Sequence, residues 1–131
     1  MRYEAPTSLD AAVTLLADAK GDAKILAGGT DVLVQLYSEM IEPELLVDIK
    51  HIPDLTEISE KGGAFCIGAA VAGVDLCDHP GFSKCWPGVI EGVSLIGSTQ
   101  IQGRASLGGN LCNGSPAADS VPAIIAAGAT A

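Results

Sequence analysis

The stretch that decides the fold is Lys24-Ile25-Leu26-Ala27-Gly28-Gly29-Thr30-Asp31. Its apolar first half predicts a short strand, and the two glycines end that strand. Thr30 is expected to cap a helix. The apolar face of that helix would hold Val32, Leu33, Leu36 and Tyr37. Leu45-Leu46-Val47-Asp48-Ile49 predicts the next strand, which we expect to be parallel to the first because a helix separates the two.

The residues before this stretch predict one further strand and one further helix. Tyr3-Glu4-Ala5 is a short extended segment, and Ser8 is expected to cap a helix whose apolar residues recur at helical spacing (Leu9, Ala12, Val13, Leu16, Ala19). Alternation of strands and helices indicates an α/β unit. We therefore predict a small α/β lobe over residues 1–55.

The pattern changes after residue 55. Thr56 to Glu60 and Ala64 to Gly68 flank Lys61-Gly62-Gly63 and predict a β-hairpin. Short helices are predicted at Val74–Asp78 and at Cys85–Leu95. Residues 97–116 have no clear period, and a final helix is predicted over residues 119–127, with Pro122 in its first turn and Gly128 at its end. Residues 56–131 thus predict the start of a second, mixed lobe, and the fold class is α+β.

The final helix is apolar, and such a helix usually packs on a strand that follows it. No strand follows before Ala131. We expect the chain to be the N-terminal part of a longer protein whose C-terminal remainder is absent.

Composition excludes several classes of function. With 16 acidic and 7 basic residues, the net charge is −9, which disfavours binding to a nucleic-acid backbone. No apolar run approaches the roughly 20 residues of a membrane span. The N-terminus lacks the apolar stretch of a signal peptide, so we expect a cytoplasmic protein with reduced cysteines. The spacing of the four cysteines does not favour a metal site.

Two glycine pairs are candidate anion sites. Gly28-Gly29 follows a predicted strand, and glycine lets backbone amides approach a ligand without an intervening Cβ. Gly108-Gly109 shares this design, with Asn110 after it. Together they could hold a diphosphate from two sides without Lys or Arg. The alternative is a tight turn at the first pair and an ordinary surface loop at the second.

These segments carry a family resemblance. Ile25 to Asp31, Ile96 to Ile101 and Leu107 to Asp119 resemble the flavin-binding (medium) subunit of the molybdenum hydroxylases, the family of xanthine dehydrogenase, aldehyde oxidase and aerobic carbon monoxide dehydrogenase. Leu45 to Leu55 and Tyr3-Glu4-Ala5-Pro6 are similar to the family as well. The resemblance implies FAD as the cofactor and a two-lobed FAD-binding fold of the vanillyl-alcohol-oxidase type.

The resemblance also implies which residues bind the cofactor. The diphosphate of FAD would be held by two loops, one before the second predicted helix and one near residue 108. Asp119 would accept hydrogen bonds from cofactor hydroxyls, and Ile96 would lie near the flavin. The full set is Ile25, Leu26, Ala27, Gly28, Gly29, Thr30, Asp31, Val32, Ile96, Ser106, Leu107, Gly108, Gly109, Asn110 and Asp119.

The implied activity is electron relay within a larger oxidoreductase. Electrons would pass from a molybdopterin-binding large subunit, through an iron–sulfur small subunit, to FAD on this chain and then to an acceptor. The isolated chain is expected to be inactive. A stand-alone FAD oxidase of the same fold is one alternative, although Gly28-Gly29-Thr30 offers no His or Cys for a covalent flavin bond. A non-catalytic nucleotide-binding or interaction module is the other.

Overall fold

The computed structural model describes residues 1–131, and its first part is built on a three-stranded parallel sheet. The strands are β1 (Arg2–Glu4), β2 (Ala23–Leu26) and β3 (Leu45–Asp48), in the order β1-β3-β2. Helices α1 (Leu9–Asp18) and α2 (Val32–Tyr37) connect them. The predicted parallel pairing is therefore confirmed. Because all three strands run the same way, their carboxyl ends meet at one edge of the sheet.

The central strand is the buried element of this sheet. Every residue of β3 is buried, with Val47 at 0% exposure. A central parallel strand is covered on both faces, which explains its continuous apolar run. The first hydrophobic cluster forms around it and contains Ala12, Leu45, Val47, Ile49, Ile52 and Ala70.

The two helices of this part differ in how well the sequence predicts them. Ser8 caps α1 as expected, since its hydroxyl accepts a hydrogen bond from the Ala11 amide at 3.3 Å. The prediction that Thr30 caps α2 is wrong: Asp31 occupies the cap position and makes no side-chain capping bond. The expected apolar face of α2 is not buried either, because Leu33 and Tyr37 are exposed.

The hairpin after residue 55 is confirmed. Strand β4 (Ile58–Lys61) pairs antiparallel with β5 (Ala64–Ile67), and Lys61 lies opposite Ala64. Gly62 and Gly63 have φ values of +60° and +80°. Two successive residues with positive φ are what a two-residue hairpin turn requires.

Six helices complete the chain: α3 (Gly73–Asp78), α4 (Pro80–Cys85), α5 (Pro87–Ser94), α6 (Thr99–Gln102), α7 (Leu107–Asn113) and α8 (Val121–Ala126). The helix predicted over Cys85–Leu95 is confirmed with shorter bounds as α5, which begins at Pro87, whereas α4 before it was not predicted. Residues 97–116 are not irregular, since they form α6 and α7. The last helix starts two residues later than residue 119, and Gly128 follows its end with a φ of +69°.

A second hydrophobic cluster lies under these helices. Its buried members are Val71, Leu76, Phe82, Val89 and Val93. The chain is thus a mixed α+β structure, as predicted. The boundary predicted at residue 55 stays a prediction; the first cluster does include one residue from beyond it, Ala70. No helix is long and apolar enough to cross a membrane.

The two clusters predict where a shortened side chain destabilises the protein. Val93, in α5, is 1% exposed, whereas Val13, in α1, is 63% exposed. In the full-length protein we expect Val93→Ala to lower the free energy of unfolding by about 2 kcal/mol, through lost burial and the cavity that remains. Val13→Ala, the control with the same chemical change in a helix, should shift it by less than about 0.5 kcal/mol. Equal losses for both variants in urea unfolding would contradict this description of the core.

Candidate functional site

The two glycine segments meet at a backbone contact between Gly28 and Arg104. A Cβ at position 28 would overlap the Arg104 carbonyl group and would lie 3.0 Å from the Ala105 nitrogen. No residue other than glycine fits there without moving one of the segments. The structure therefore brings together two loops that are 76 residues apart in sequence (104 − 28 = 76). We call them the first loop (residues 28–32) and the second loop (residues 104–110).

The first loop is rich in unpaired backbone donors. The amides of Gly28, Gly29, Thr30, Asp31 and Val32 donate to no acceptor within the protein. Backbone donors in a folded protein are almost always paired with protein or with water. These five are available to a ligand, and they follow directly from the carboxyl end of β2.

Gly29 gives the first loop its shape. Its φ is +79°, a conformation that side chains other than glycine rarely adopt. A Cβ there would also lie 2.9 Å from Leu26 Cδ1 and 3.0 Å from Leu33 Cδ1. The fold by itself thus requires glycine at both positions, at Gly28 because of the packing on Arg104 and at Gly29 because of its positive φ. The amides of Asp31 and Val32 are unpaired because they begin α2, where no intrahelical acceptor exists, whereas those of Gly28, Gly29 and Thr30 are left free by the turn itself.

The second loop is held firmly by the rest of the protein. The Gly73 amide donates to the Ala105 carbonyl at 2.8 Å, and Ser106 is 2% exposed. Ser106 caps α7, because its hydroxyl accepts from the Gly109 amide at 3.0 Å. The Gly108 amide has no acceptor in the protein. The second pair thus begins a helix and is not an ordinary surface loop.

Gly108 and Gly109 differ in what the fold asks of them. A Cβ at Gly108 would lie 2.6 Å from the Ala69 carbonyl oxygen, so packing explains this glycine. At Gly109 a Cβ would meet only Ser106 Oγ, at 3.0 Å, and φ is not positive. Glycine within a helix costs roughly 0.5–1 kcal/mol relative to alanine. Within the protein only the Ser106 hydroxyl limits the space at Gly109, a weaker constraint than the backbone contact at Gly108, and the close approach of a ligand would be a further reason for glycine there.

Asn110 is engaged within the protein. Its Oδ1 accepts from the Ser120 hydroxyl at 2.6 Å and from the Ser120 amide at 3.3 Å. Ser120 is completely buried and precedes α8. Asn110 therefore fixes α8 against α7 through its oxygen, and only its amide nitrogen remains available to a ligand.

The other predicted site residues are distributed as follows. Asp119 is exposed, makes no side-chain hydrogen bond and lies one residue from the Asn110–Ser120 contact. Ile96 and Leu107 are half-buried. Ile25 is 49% exposed on β2, while Leu26 is buried and Ala27 half-buried. The structure brings the two loops together; the roles expected of these individual residues stay predictions.

Sequence reasoning missed a polar network at the carboxyl ends of the strands. Asp48, at the end of β3, is 4% exposed and accepts from the Tyr3 hydroxyl at 2.7 Å. It also accepts from the Lys50 amide at 3.0 Å and from Lys50 Nζ at 2.7 Å. Lys50 Nζ donates in turn to the Ala27 carbonyl at 2.9 Å. The available signal was one carboxylate within the apolar run Leu45–Ile49, since a buried charge needs partners.

This network shifts the pKa values of two of its side chains. Burial raises the pKa of Asp48, but the hydrogen bonds from Lys50 and Tyr3 outweigh burial and hold that pKa below its ordinary value. The hydrogen bond to Asp48 raises the pKa of the Tyr3 phenol. Asp48 is therefore an anion in the folded protein at neutral pH, and Tyr3 is a neutral donor to it.

No group of three or more His, Cys, Asp or Glu side chains lies close enough together to hold a metal ion. All four cysteines are free thiols. The distinctive chemistry of this surface therefore comes from backbone amides at a junction of two loops, which suits an anionic ligand such as a phosphate or diphosphate.

Comparisons with known proteins point in the same direction. A family model described as the FAD binding domain in molybdopterin dehydrogenase matches residues 1–131. The chain is 38% identical over 117 residues to the carbon monoxide dehydrogenase medium chain of Hydrogenophaga pseudoflava, covering 89% of this chain and 41% of that one. It is 37% identical over 119 residues to the xanthine dehydrogenase FAD-binding subunit of Escherichia coli O157:H7, covering 90% and 40%.

A solved structure agrees with this assignment. Reconstituted carbon monoxide dehydrogenase from Oligotropha carboxidovorans superposes with a TM-score of 0.87 at 34% identity, over 92% of this chain and 42% of that one. The chain thus spans about two fifths of the length of these relatives.

The Asp48 network predicts a dependence of stability on pH. Because the pKa of Asp48 is lowered by folding, its contribution is present above the unfolded-state value of about 3.9 and is lost as pH falls through the folded value. We expect Asp48→Asn to lower the free energy of unfolding by about 2 kcal/mol at neutral pH. The difference in unfolding free energy between this variant and wild type should become smaller toward pH 3. Urea unfolding of the full-length protein at several pH values measures this difference.

Asp18→Asn is the control, since Asp18 is exposed and has no side-chain hydrogen bond. It should change stability little at either end of the pH range. If Asp48→Asn lowered the free energy of unfolding by the same amount at pH 3 and at neutral pH, the charge of Asp48 would not be what stabilises the strand ends.

Proposed function

The chain belongs to the family of FAD-binding domains in molybdopterin dehydrogenases, and on that premise we propose that the junction of its first and second loops binds the diphosphate of FAD. FAD is the cofactor of this family. What we propose is the place on this chain where FAD binds and the groups that bind it.

The observation that carries the proposal is the set of unpaired amides at the junction. Five consecutive amides of the first loop and the Gly108 amide of the second have no acceptor in the protein. The contact of Gly28 with the Arg104 carbonyl brings the two loops together. A diphosphate offers acceptor oxygens to both sides at once, which suits donors that come from two segments.

The charge of the chain fits this mode of binding. With a net charge of −9, the protein repels anions at long range. Backbone amides carry only partial charges, and their strength comes from being fixed in direction before the ligand arrives. Backbone donors therefore let an acidic protein hold a phosphate-containing cofactor without a cluster of Lys and Arg.

Individual residues take the following roles in this proposal. Within the segment from Ile25 to Val32, the amides of residues 28–32 would contact the diphosphate, with the Thr30 hydroxyl as one more donor, while Ile25, Leu26 and Ala27 would lead the chain into the site. Ser106, Leu107, Gly108, Gly109 and Asn110 would form the opposite side of the clamp. Ser106 would act there by fixing the first turn of α7, because its hydroxyl already accepts from Gly109. Asp119 would accept hydrogen bonds from cofactor hydroxyls, and Ile96 would lie near the flavin.

We propose that the complete protein relays electrons within a larger oxidoreductase. Its relatives are named as a medium chain and as an FAD-binding subunit, which supports assembly with a molybdopterin-binding large subunit and an iron–sulfur small subunit. When bound, FAD supplies the redox chemistry, and the protein supplies its position and surroundings. This chain would bind and orient the cofactor, and it would contribute no residue to substrate oxidation.

Two further parts of the proposal concern architecture and location. The small parallel sheet followed by a mixed α+β part supports a two-lobed FAD-binding fold of the vanillyl-alcohol-oxidase type. The complex would act in the cytoplasm, and the 131-residue chain would be inactive without the rest of the subunit and its partners.

Gly109 provides a direct test of the cofactor site. In the full-length protein, Gly109→Ala should leave the stability of the apoprotein within about 1 kcal/mol of wild type, because the preference of a helix for alanine, roughly 0.5–1 kcal/mol, offsets the small shift that the new Cβ imposes on the Ser106 hydroxyl. The added methyl group should nevertheless obstruct the cofactor and weaken FAD binding by about tenfold or more, equivalent to about 1.4 kcal/mol. Fluorescence titration of the apoprotein with FAD and urea unfolding measure the two effects separately.

Gly88→Ala is the matched control. Gly88 lies in the first turn of α5, and a Cβ there would have nothing within 4 Å. This variant should gain stability and keep the affinity for FAD. If Gly109→Ala bound FAD as tightly as Gly88→Ala does, Gly109 would not border the cofactor and the proposed clamp would be wrong.

A further inference from the structure

We propose that Lys50 is a positioning residue for the cofactor: its ammonium group ties the Ala27 carbonyl to Asp48 and so holds the first loop in the conformation that exposes its amides. This inference rests on the proposed binding of FAD at the junction of the two loops. It concerns a side chain that lies outside both loops and would act on the cofactor through the backbone of Ala27.

The geometry of the tie is specific. Lys50 Nζ lies 2.7 Å from Asp48 Oδ1 and 2.9 Å from the Ala27 carbonyl oxygen. The Lys50 side chain is 30% exposed and that of Asp48 only 6%, so water competes weakly for these bonds. Ala27 is the residue directly before Gly28, and its carbonyl accepts no other hydrogen bond in the protein. Lys50 is therefore the only hydrogen-bond donor to the peptide at which the loop begins.

The anchor at the other end of the tie is rigid. Asp48 lies at the carboxyl end of the fully buried strand β3, and its second oxygen accepts from the Tyr3 hydroxyl of β1 at 2.7 Å. The Lys50 amide also donates to Asp48. Lys50 also connects this network to the end of β2, through its hydrogen bond to the Ala27 carbonyl. The carboxyl ends of all three strands are thus joined by side chains at the edge of the sheet where the loop emerges.

The first loop has few other restraints. They are the hydrogen bonds from the Leu33 amide to the Gly29 carbonyl, at 3.0 Å, and from the Gln35 amide to the Asp31 carbonyl, at 2.9 Å, together with the packing of Gly28 against Arg104. Because its five amides have no partners, the conformation of the loop depends on how its ends are held. Without the tie, the binding conformation becomes one of several, and the apparent affinity falls in proportion to its population.

The experiment compares FAD affinities of full-length variants. Lys50→Met removes the ammonium group and keeps a side chain of similar length, so we expect the dissociation constant for FAD to rise about tenfold, as it would if one molecule in ten held the binding conformation. Lys50→Arg can still donate to both acceptors and should stay within about threefold of wild type. The conservative variant thus separates the tie from a general requirement for lysine.

Lys24→Met controls for charge. Lys24 is an exposed residue of β2 whose side chain makes no hydrogen bond, and its removal lowers the net charge by the same amount. This variant should bind FAD within about twofold of wild type, because an exposed charge is screened by salt. If Lys24→Met and Lys50→Met weakened binding equally, charge alone would account for the effect and the positioning role would be overturned.

A purely structural role is tested by two further measurements, the folded fraction of each variant and the FAD affinity of a double variant. Lys50→Met leaves Asp48 buried without its cation, which destabilises the fold. The double variant Asp48→Asn with Lys50→Met removes both charges, and the introduced side-chain amide can accept from the backbone amide of residue 50 with its oxygen and donate to the Tyr3 hydroxyl oxygen with its nitrogen. The double variant should fold normally and bind FAD as weakly as Lys50→Met does. If the folded molecules of either variant bound FAD with the wild-type constant, and only their number fell, Lys50 would matter for folding alone.

The two proposals fail in different ways. If wild-type protein took up no FAD, the proposed function itself would be wrong. If wild-type protein bound FAD and folded Lys50→Met bound it equally well, the cofactor site would stand and the role of Lys50 would be overturned.

Discussion

The candidate site depends on one contact, the approach of the Gly28 backbone to the Arg104 carbonyl. This contact brings together a turn that follows β2 and a turn that precedes α7. Because a single Cβ would break it, the contact requires glycine at one position in 131. The unpaired amides of the first loop become a site only because the second loop lies beside them.

Each side of that contact is anchored in a different hydrophobic cluster. The first loop emerges from the sheet, whose central strand lies in the cluster around Val47. The second loop is attached through Gly73 to α3, which packs in the cluster around Leu76. Ala70 belongs to one cluster and Val71 to the other, so the two cores are linked by one peptide bond. The stability of both clusters is therefore transmitted to the geometry of the junction.

Much of the fold could be predicted from local sequence. Ser8 marked the start of α1, Gly62-Gly63 marked the hairpin, and the apolar run at Leu45 marked the central strand. The errors fell where local signals were weak or competed. No helix was predicted over Pro80–Cys85, although proline is favoured in the first turn of a helix. Residues 97–116 are so rich in Gly, Ser and Asn that helical periodicity was masked, although Ser106 caps α7.

At the candidate site, too, local sequence predicted some features and could not predict others. Sequence motifs identified both loops, and the matching family model agrees with the cofactor that their resemblance implied. Sequence could not distinguish Gly108, which the Ala69 backbone restricts to glycine, from Gly109, where only the Ser106 hydroxyl limits the space. Nor could it reveal that Asn110 already serves Ser120, or that Asp48, Lys50 and Tyr3 form one network.

The sequence by itself therefore determined the local elements, the two glycine loops and the family of this protein. Those features depend on residues close together in the chain, where propensity, capping and motif spacing act directly. Only the tertiary structure decided that the loops adjoin, which amides stay unpaired and which side chains join the strand ends beside the first loop. Those features depend on contacts between residues distant in sequence, and such contacts exist only once both cores have packed.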